Sequence, residues 1–308
     1  FRKNIGVQKV IALLTSLLVL MTSLFIFSAT KDGTIAVMNV GDWQAPFGIT
    51  LAIDMLSSVM LLLVGLLAVG VSAYAGFDLD VPRMKYGFFP LMLILLMGVN
   101  GAFVTGDLFN LYVWFEVLLT ASFILLALGG ERAQLAGSIK YVTLNLLSSA
   151  LFLAGIGILY GMAGTLNLAE LAQLVKDGAR GDLLTMVAIM FMMAFGIKAG
   201  MFPLYFWLPA SYPTPPAAVT ALFSGLLTKV GVYSMIRMFT LVFDTDPDFL
   251  HGLILVGAGL TMLSGVLAAA AQYEMRKILA VHIVSQIGYI LMGLGLYTEL
   301  ALTGTIIY

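Results

Sequence analysis

Nine stretches of this chain stay apolar for about 20 residues each, the length that carries a helix across the hydrocarbon of a bilayer. They lie at about 10 to 29, 50 to 72, 86 to 104, 107 to 128, 139 to 162, 183 to 211, 217 to 241, 251 to 272 and 278 to 297, and a tenth begins near 300. Lipid offers the backbone no hydrogen-bond partners, so each stretch is expected to close its own bonds as a helix. The expected fold is an all-α, polytopic membrane bundle forming one transmembrane domain over 1–308. With 61% hydrophobic and 10% charged residues, the chain has no polar segment long enough for a separate soluble domain. The first stretch is a full span with no small-residue cleavage pattern after it, so it reads as a membrane helix and not as a signal peptide. The sequence opens on FRKN and stops inside the apolar run GTIIY, which suggests part of a longer protein.

The 15 basic and 16 acidic residues leave a net charge of −1, so no nucleic-acid partner is expected. Absent cysteines exclude disulfides, iron–sulfur ligation and thiol catalysis within these residues. No cofactor and no resident metal site is expected. Lys and Arg in the loops set orientation. With the start on the cytoplasmic side, the inner connections hold Arg2, Lys3, Lys9, Arg83, Lys85, Arg132, Lys140, Arg276 and Lys277, and the outer ones only Lys31, Lys176 and Arg180. The acidic loop with Asp244, Asp246 and Asp248 then also faces out, as does a short surface helix expected through LNLAELAQLVK. The 32 glycines and 18 methionines are read as packing devices, since Gly lets membrane helices approach and Met fills gaps.

Function is sought where charge is costly. Three basic residues remain inside spans: Lys198, Lys229 and Arg237. Arg237 lies near an outer helix end, where its stem can snorkel to the headgroups. Lys229 sits at the midpoint of 217 to 241, where a charge costs about 3 kcal/mol or more. Among the acids Glu116 is the deepest, near the middle of 107 to 128. Asp54, about one turn inside its span, and Asp107, at a helix start where a carboxylate complements the amide dipoles, read as structural, with Asp54 kept as a secondary site residue. Lys198 stands in GIKAGMFPLYFWLPASYPTPPAAV between Gly196 and Gly200 and ahead of Pro203 and Pro209. Proline removes a donor and clashes with the preceding turn, so the helix is expected to break near 199 to 203. Broken backbone at membrane depth survives only where it is buried or lines a wet cavity, and ion sites are built at such breaks. His282, with Ser285 and Gln286, forms a polar patch one turn from a cytoplasmic helix end and is a candidate inner gate; a satisfied structural histidine is the alternative. His251 opens a helix at the outer surface and is expected to be solvated.

One acid and two amines at membrane depth suit a proton relay. Burial disfavours the charged form of each, and an opposite charge nearby restores it. A lysine beside Glu116 holds its proton, and one drawn away releases it. Two lysines in contact repel, so protonating Lys229 is expected to push Lys198 toward Glu116.

The Glu116 helix, GIKAGMFPLYFWLP, LLTKVGVY and YEMRKILAVHIVSQIGYI together resemble the antiporter-like subunits shared by bacterial Mrp cation/proton antiporters, respiratory complex I and membrane-bound hydrogenases. The resemblance covers nearly the whole chain, and TKVGVY with PLYFWLPASYPTPP looks most like the D-type subunits of Mrp complexes. It implies proton translocation at Glu116, Lys198 and Lys229, the residues that depth alone selects. It also implies two inverted repeats of about five helices: N-terminal helices over 1–85, a first repeat over 86–241, and the start of a second over 251–308. The first helix and the C-terminal helices, with the second broken helix, are then outside the sequence. Respiratory relatives usually carry a histidine where Tyr205 stands, a departure at a secondary position of the path.

The combined expectation is a multi-pass subunit in a bacterial cytoplasmic membrane that carries protons for a multisubunit Na+/H+ antiporter, with other membrane subunits as partners and H+ and Na+ as cargo. Three alternatives remain: a redox-driven proton pump subunit, a structural subunit that transports nothing, and a passive cation channel, which buried lysines disfavour.

Overall fold

A computed structural model describes residues 4–177, 182–244 and 247–308. Arg2, Lys3, Arg180 and Asp246, used above for orientation, lie outside the described residues. The chain runs through α1 (Ile5–Thr30), β1 (Ala36–Asn39), β2 (Thr50–Ile53), α2 (Met55–Asp78), α3 (Val81–Lys85) and α4 (Phe88–Val104). It continues through α5 (Leu108–Ala127), α6 (Arg132–Ala163), α7 (Leu168–Lys176), α8 (Asp182–Ala199) and α9 (Trp207–Ser211). It ends with α10 (Ala217–Leu222), α11 (Thr228–Leu241), α12 (Pro247–Ala270), α13 (Met275–Leu296) and α14 (Glu299–Ile307). Among the described residues seven helical segments are long and apolar enough to cross a membrane, and Phe88–Val104 and Leu183–Ala199 are shorter apolar helices. All nine expected spans are therefore helical over most of their length, and the expected surface helix is α7.

Two departures have local causes. The stretch 50 to 72 does not begin as a helix: Thr50–Ile53 pairs antiparallel with Ala36–Asn39, Ala36 opposite Ile53. Asp54 stops the strand and starts the helix by accepting a bond from Ser57 N at 2.9 Å, so it caps α2 and does not lie one turn inside it. His251 is not solvated. It is 3% exposed, its Nδ1 lies 2.9 Å from the Leu294 carbonyl oxygen, and its ring stacks on Tyr297 with centroids 3.8 Å apart. Asp107 behaves as expected: it caps α5, accepting from Asn110 N at 2.8 Å.

Helices in lipid gain little from the hydrophobic effect and associate through packing and scattered polar bonds. Thus α1 is held to α2 by Ser16 and Ser72 Oγ at 2.7 Å, by Thr30 donating to Ser58 at 2.9 Å, and by Lys9 Nζ donating to the Gly76 carbonyl at 2.9 Å. The α5–α6–α8 layer is aromatic. Phe152 meets Phe191 and Phe195 edge-on at 5.1 and 4.9 Å between centroids, and Phe115 stacks on Phe195 at 6.0 Å. This wall lies directly against the break in α8.

Candidate functional site

The break falls where the prolines and glycines place it. Gly200 takes a φ of +86°, a left-handed conformation open to residues without a Cβ, and α8 stops at Ala199. The amides of Gly200 and Met201 both turn onto the Gly196 carbonyl at 2.9 Å, so the regular partner of the Ile197 carbonyl is lost. Trp207 replaces it: its indole Nε1 donates to the Ile197 oxygen at 2.9 Å. Phe202 N is tied to Thr261 Oγ1 of α12 at 2.9 Å, and Leu204 N to the Met201 carbonyl at 2.7 Å. Pro203 lies in the connecting segment, and Pro209 falls inside the five-residue α9. Tyr205 is half-buried, with its ring 6.4 Å from Phe202. The break is real and stitched shut, and Trp207 is the stitch that sequence inspection missed.

Lys198, in the last turn of α8, is 4% exposed. Its ammonium carries three donors, yet among the described residues its hydrogen bonding amounts to Ser149 Oγ of α6 at 3.4 Å, longer than a good N–H···O bond. It also stands 4.7 Å from the centroid of the Phe115 ring, a cation–π contact. The next residue on α5 is Glu116, close enough to act on Lys198 electrostatically. Among the described residues the two are not in direct ion-pair contact. Glu116 Oε1 is buried and has no hydrogen-bond partner among the described residues, a state whose cost a donor would relieve. An under-bonded ammonium on α8 and a carboxyl oxygen without a partner on α5 are thus within electrostatic reach of each other.

Lys229 is reached through an irregularity. Between α10 and α11 the backbone runs as a π-helix over Phe223–Leu227, a bulge common at functional positions. Lys229 reaches back to donate to the Ser224 carbonyl at 2.8 Å. It lines a mainly apolar cavity of about 240 Å³ together with Phe103, Val232, Tyr233, Thr305 and Tyr308. Helices α8 and α11 touch beside it: a Cβ on Gly231 would lie 2.6 Å from Ala199 N and 2.9 Å from the Lys198 carbonyl carbon. The two lysine-bearing segments are therefore in backbone contact.

His282 is exposed, accepts from Gln286 Nε2 at 2.8 Å, and lies 3.5 Å from Ser285 Oγ. It lines a second cavity, of about 480 Å³, that Ser224, Thr220, Tyr212 and Arg276 also line. Ser224 thus belongs to the wall in front of His282 and supplies the carbonyl that holds Lys229. Gln286 also bonds the Tyr308 hydroxyl.

Arg237 does not snorkel. Its guanidinium grips Asp54 with Nη1 on Oδ2 at 2.5 Å and Nη2 on Oδ1. Nη2 also donates to Ser57 at 2.9 Å, and Nε donates to the Tyr233 hydroxyl at 2.9 Å. A carboxylate within reach satisfies the guanidinium's fork better than distant headgroups do. The partners lie 183 residues apart, which hides them from local inspection.

Residues 105–308 match the family model described as "NADH:quinone oxidoreductase/Mrp antiporter, TM". The chain is 48% identical over its whole length to the D-type subunit of the Na(+)/H(+) antiporter of Alkalihalophilus pseudofirmus, and 40% identical over 99% of its length to the D-type subunit of the Na(+)/H(+) antiporter of Bacillus subtilis. It spans 62% of the length of each of these relatives. Its fold is like that of a chain in the Mrp complex from a Dietzia species, with a TM-score of 0.91 and 34% identity over 98% of this chain and 56% of that one. A chain of the membrane-bound sulfane sulfur reductase, an archaeal respiratory membrane complex, gives a TM-score of 0.88 and 28% identity over 93% of this chain and 59% of that one. This multi-pass membrane chain belongs to the NADH:quinone oxidoreductase/Mrp antiporter transmembrane family.

Proposed function

We propose that this chain is part of a D-type subunit of a multisubunit Na+/H+ antiporter and carries the protons whose inward flow drives sodium out of a bacterial cytoplasm. The activity is transport across the cytoplasmic membrane and not enzymatic turnover. The observation that supports it best is Lys198: an ammonium nine-tenths and more buried at a broken helix, with one long bond to Ser149 and an unpartnered Glu116 oxygen nearby. An amine so weakly held can change neighbours at small cost. When Lys229 gains a proton, repulsion across the α8–α11 contact drives Lys198 toward Glu116; when Lys229 is neutral, Lys198 returns. Proton affinity follows the neighbour, because an opposite charge stabilises the ammonium and a like charge does not. No redox centre is needed. The cavity shared by His282 and Ser224 is the inner approach to Lys229. Residues 86–241 act as one repeat of an inverted pair, and the chain works with other membrane subunits. Glu116 and Asp54 alone supply too few oxygens to cage a hard cation, so they are not assigned as a sodium site.

The test replaces Lys198 in the complete complex and follows sodium-dependent collapse of a pH gradient in everted vesicles. Lys198→Ala is expected to abolish it. Lys198→Arg retains little, because a guanidinium does not release its proton. Full activity in the arginine variant removes deprotonation of this site from the cycle, and antiport within a few-fold of normal for both Lys198→Ala and Glu116→Ala, with the complex assembled, favours a non-transporting structural subunit. A second reading, a proton-pumping subunit of a redox-driven respiratory complex, is favoured by the likeness to the sulfur reductase chain. Chains that co-purify in mild detergent separate the two: cysteine-rich iron–sulfur partners belong to the pump, and small hydrophobic subunits without redox centres to the antiporter.

A further inference from the structure

Lys229, Tyr233 and Arg237 repeat at four-residue intervals and therefore share one face of α11. Arg237 stands about 12 Å beyond Lys229 at the rise of an α-helix. Tyr233 joins the two ends. Its ring lines the cavity that holds Lys229, and it packs edge-on against Phe103 at 4.8 Å between centroids. Its hydroxyl donates to the Phe103 carbonyl at 2.9 Å, accepts from Arg237 Nε at 2.9 Å, and lies 2.9 Å from Ser57 Oγ. With one donor and two acceptor positions the hydroxyl is then saturated, and the ring cannot swing without breaking these bonds. The far end of the network is less enclosed: the Arg237 and Asp54 side chains keep 22% and 28% of their exposure. They lie at the end of the bundle where β2 bridges Thr105, opposite the end where Asp78 caps the start of α10 by accepting from Ala218 N.

We propose that Asp54, Arg237 and Tyr233 form an outer gate on the proton route to Lys229, closed while the Asp54–Arg237 pair holds the Tyr233 ring in the cavity wall between Lys229 and the ion pair. The proposal rests on the proton-carrying reading above and adds the outer half of its route. Arg237 from α11 is the cation against Asp54, and Ser57, on the helix that Asp54 caps, supplies its other bonds. Neutralising Asp54, as a proton arriving from the outer side does, removes the charge that fixes the guanidinium. Arg237 Nε then leaves the hydroxyl, and Tyr233 is free to turn and admit water between the outer surface and Lys229. Asp54 returns to the carboxylate when it passes its proton inward, and the pair closes again.

The gate can be read without measuring transport. These 308 residues contain no cysteine, so Val232→Cys puts a thiol in the cavity wall one residue inward of Tyr233. The probe is a membrane-impermeant methanethiosulfonate carrying a quaternary ammonium, added outside right-side-out vesicles that hold the complete complex, with the complex lacking Val232→Cys as control. Asp54→Asn removes the charge and keeps a good helix cap; Tyr233→Phe removes the hydroxyl and keeps the ring. Both are expected to raise the labelling rate about tenfold, as loss of one charge-assisted hydrogen bond predicts, while Asp54→Glu restores slow labelling. If Asp54→Asn does not assemble, Tyr233→Phe decides. Labelling that rises less than about threefold in the variants that assemble overturns the gate. That result leaves the Lys198 experiment untouched, so failure of the gate and failure of the proton-carrying reading are separate outcomes.

Discussion

Gly231 sets the distance between the two lysine-bearing segments, and replacing it with alanine tests whether that distance matters. The new methyl carbon would stand 2.6 Å from Ala199 N, 2.9 Å from the Lys198 carbonyl carbon and 3.0 Å from Ala199 Cα. These are backbone atoms, so no side chain can rotate out of the way. Restoring an ordinary contact of about 3.5 Å requires α8 and α11 to part by roughly 1 Å. Overpacking of that kind costs about 1–3 kcal/mol, leaving an assembled but strained bundle. Where reacting groups must be held in place, a misplacement of about 1 Å costs up to a hundredfold in rate. Gly231→Ala is therefore expected to slow sodium-dependent collapse of the pH gradient by about tenfold to a hundredfold. Gly252→Ala is the control: it is also helical, nothing lies within 4 Å of its added methyl, and alanine suits a helix better than glycine. Both complexes are quantified in the same vesicles. Antiport by Gly231→Ala within about twofold of Gly252→Ala would mean that the α8–α11 spacing is not part of the relay.

Two further substitutions test the framework. Trp207→Phe removes the donor to the Ile197 carbonyl and leaves a buried acceptor at membrane depth, so the purified complex should lose about 1–3 kcal/mol, seen as a lower thermal midpoint; an unchanged midpoint would show that the break needs no stitch. Asp107→Ala removes the cap on Asn110 N and is expected to cost about 1 kcal/mol, while Asp107→Asn keeps most of it; equal thermal midpoints for the two variants would count against a capping role.

What the sequence made legible was depth. Lys229 and Glu116 stand out because each interrupts an apolar run near its middle, and Lys198 because glycine and proline crowd around it. What stayed hidden was partnership. The Thr-Leu-Ala-Ile of β2 is as apolar as the helix it precedes, so hydropathy runs through the strand without a signal, and only the pairing with Ala36–Asn39 distinguishes them. His251 looks like an exposed helix-start residue until the Leu294 carbonyl and the Tyr297 ring close over it. The π-helix at Phe223–Leu227 has an ordinary apolar composition; nothing local announces that Lys229 reaches back to Ser224. Trp207 could have been suspected, since an indole close after a predicted break carries one donor and needs an acceptor when buried.

Partnership also sorts the buried charges by role. Arg237 makes four hydrogen bonds, two of them to a carboxylate that itself caps a helix. Among the described residues Lys198 has one long bond to a hydroxyl, Lys229 one bond to a carbonyl, and Glu116 an oxygen with none. In a medium of low dielectric a satisfied ion pair is costly to break, because separation leaves each charge buried alone. A charge that is poorly satisfied from the start loses little by moving, and gains whenever a proton or an opposite charge reaches it. Rigidity and mobility are thus set by how completely each group is bonded, not by how deep it lies. On that criterion Arg237 with Asp54 has the most to lose by moving, and Glu116, Lys198 and Lys229 have the least.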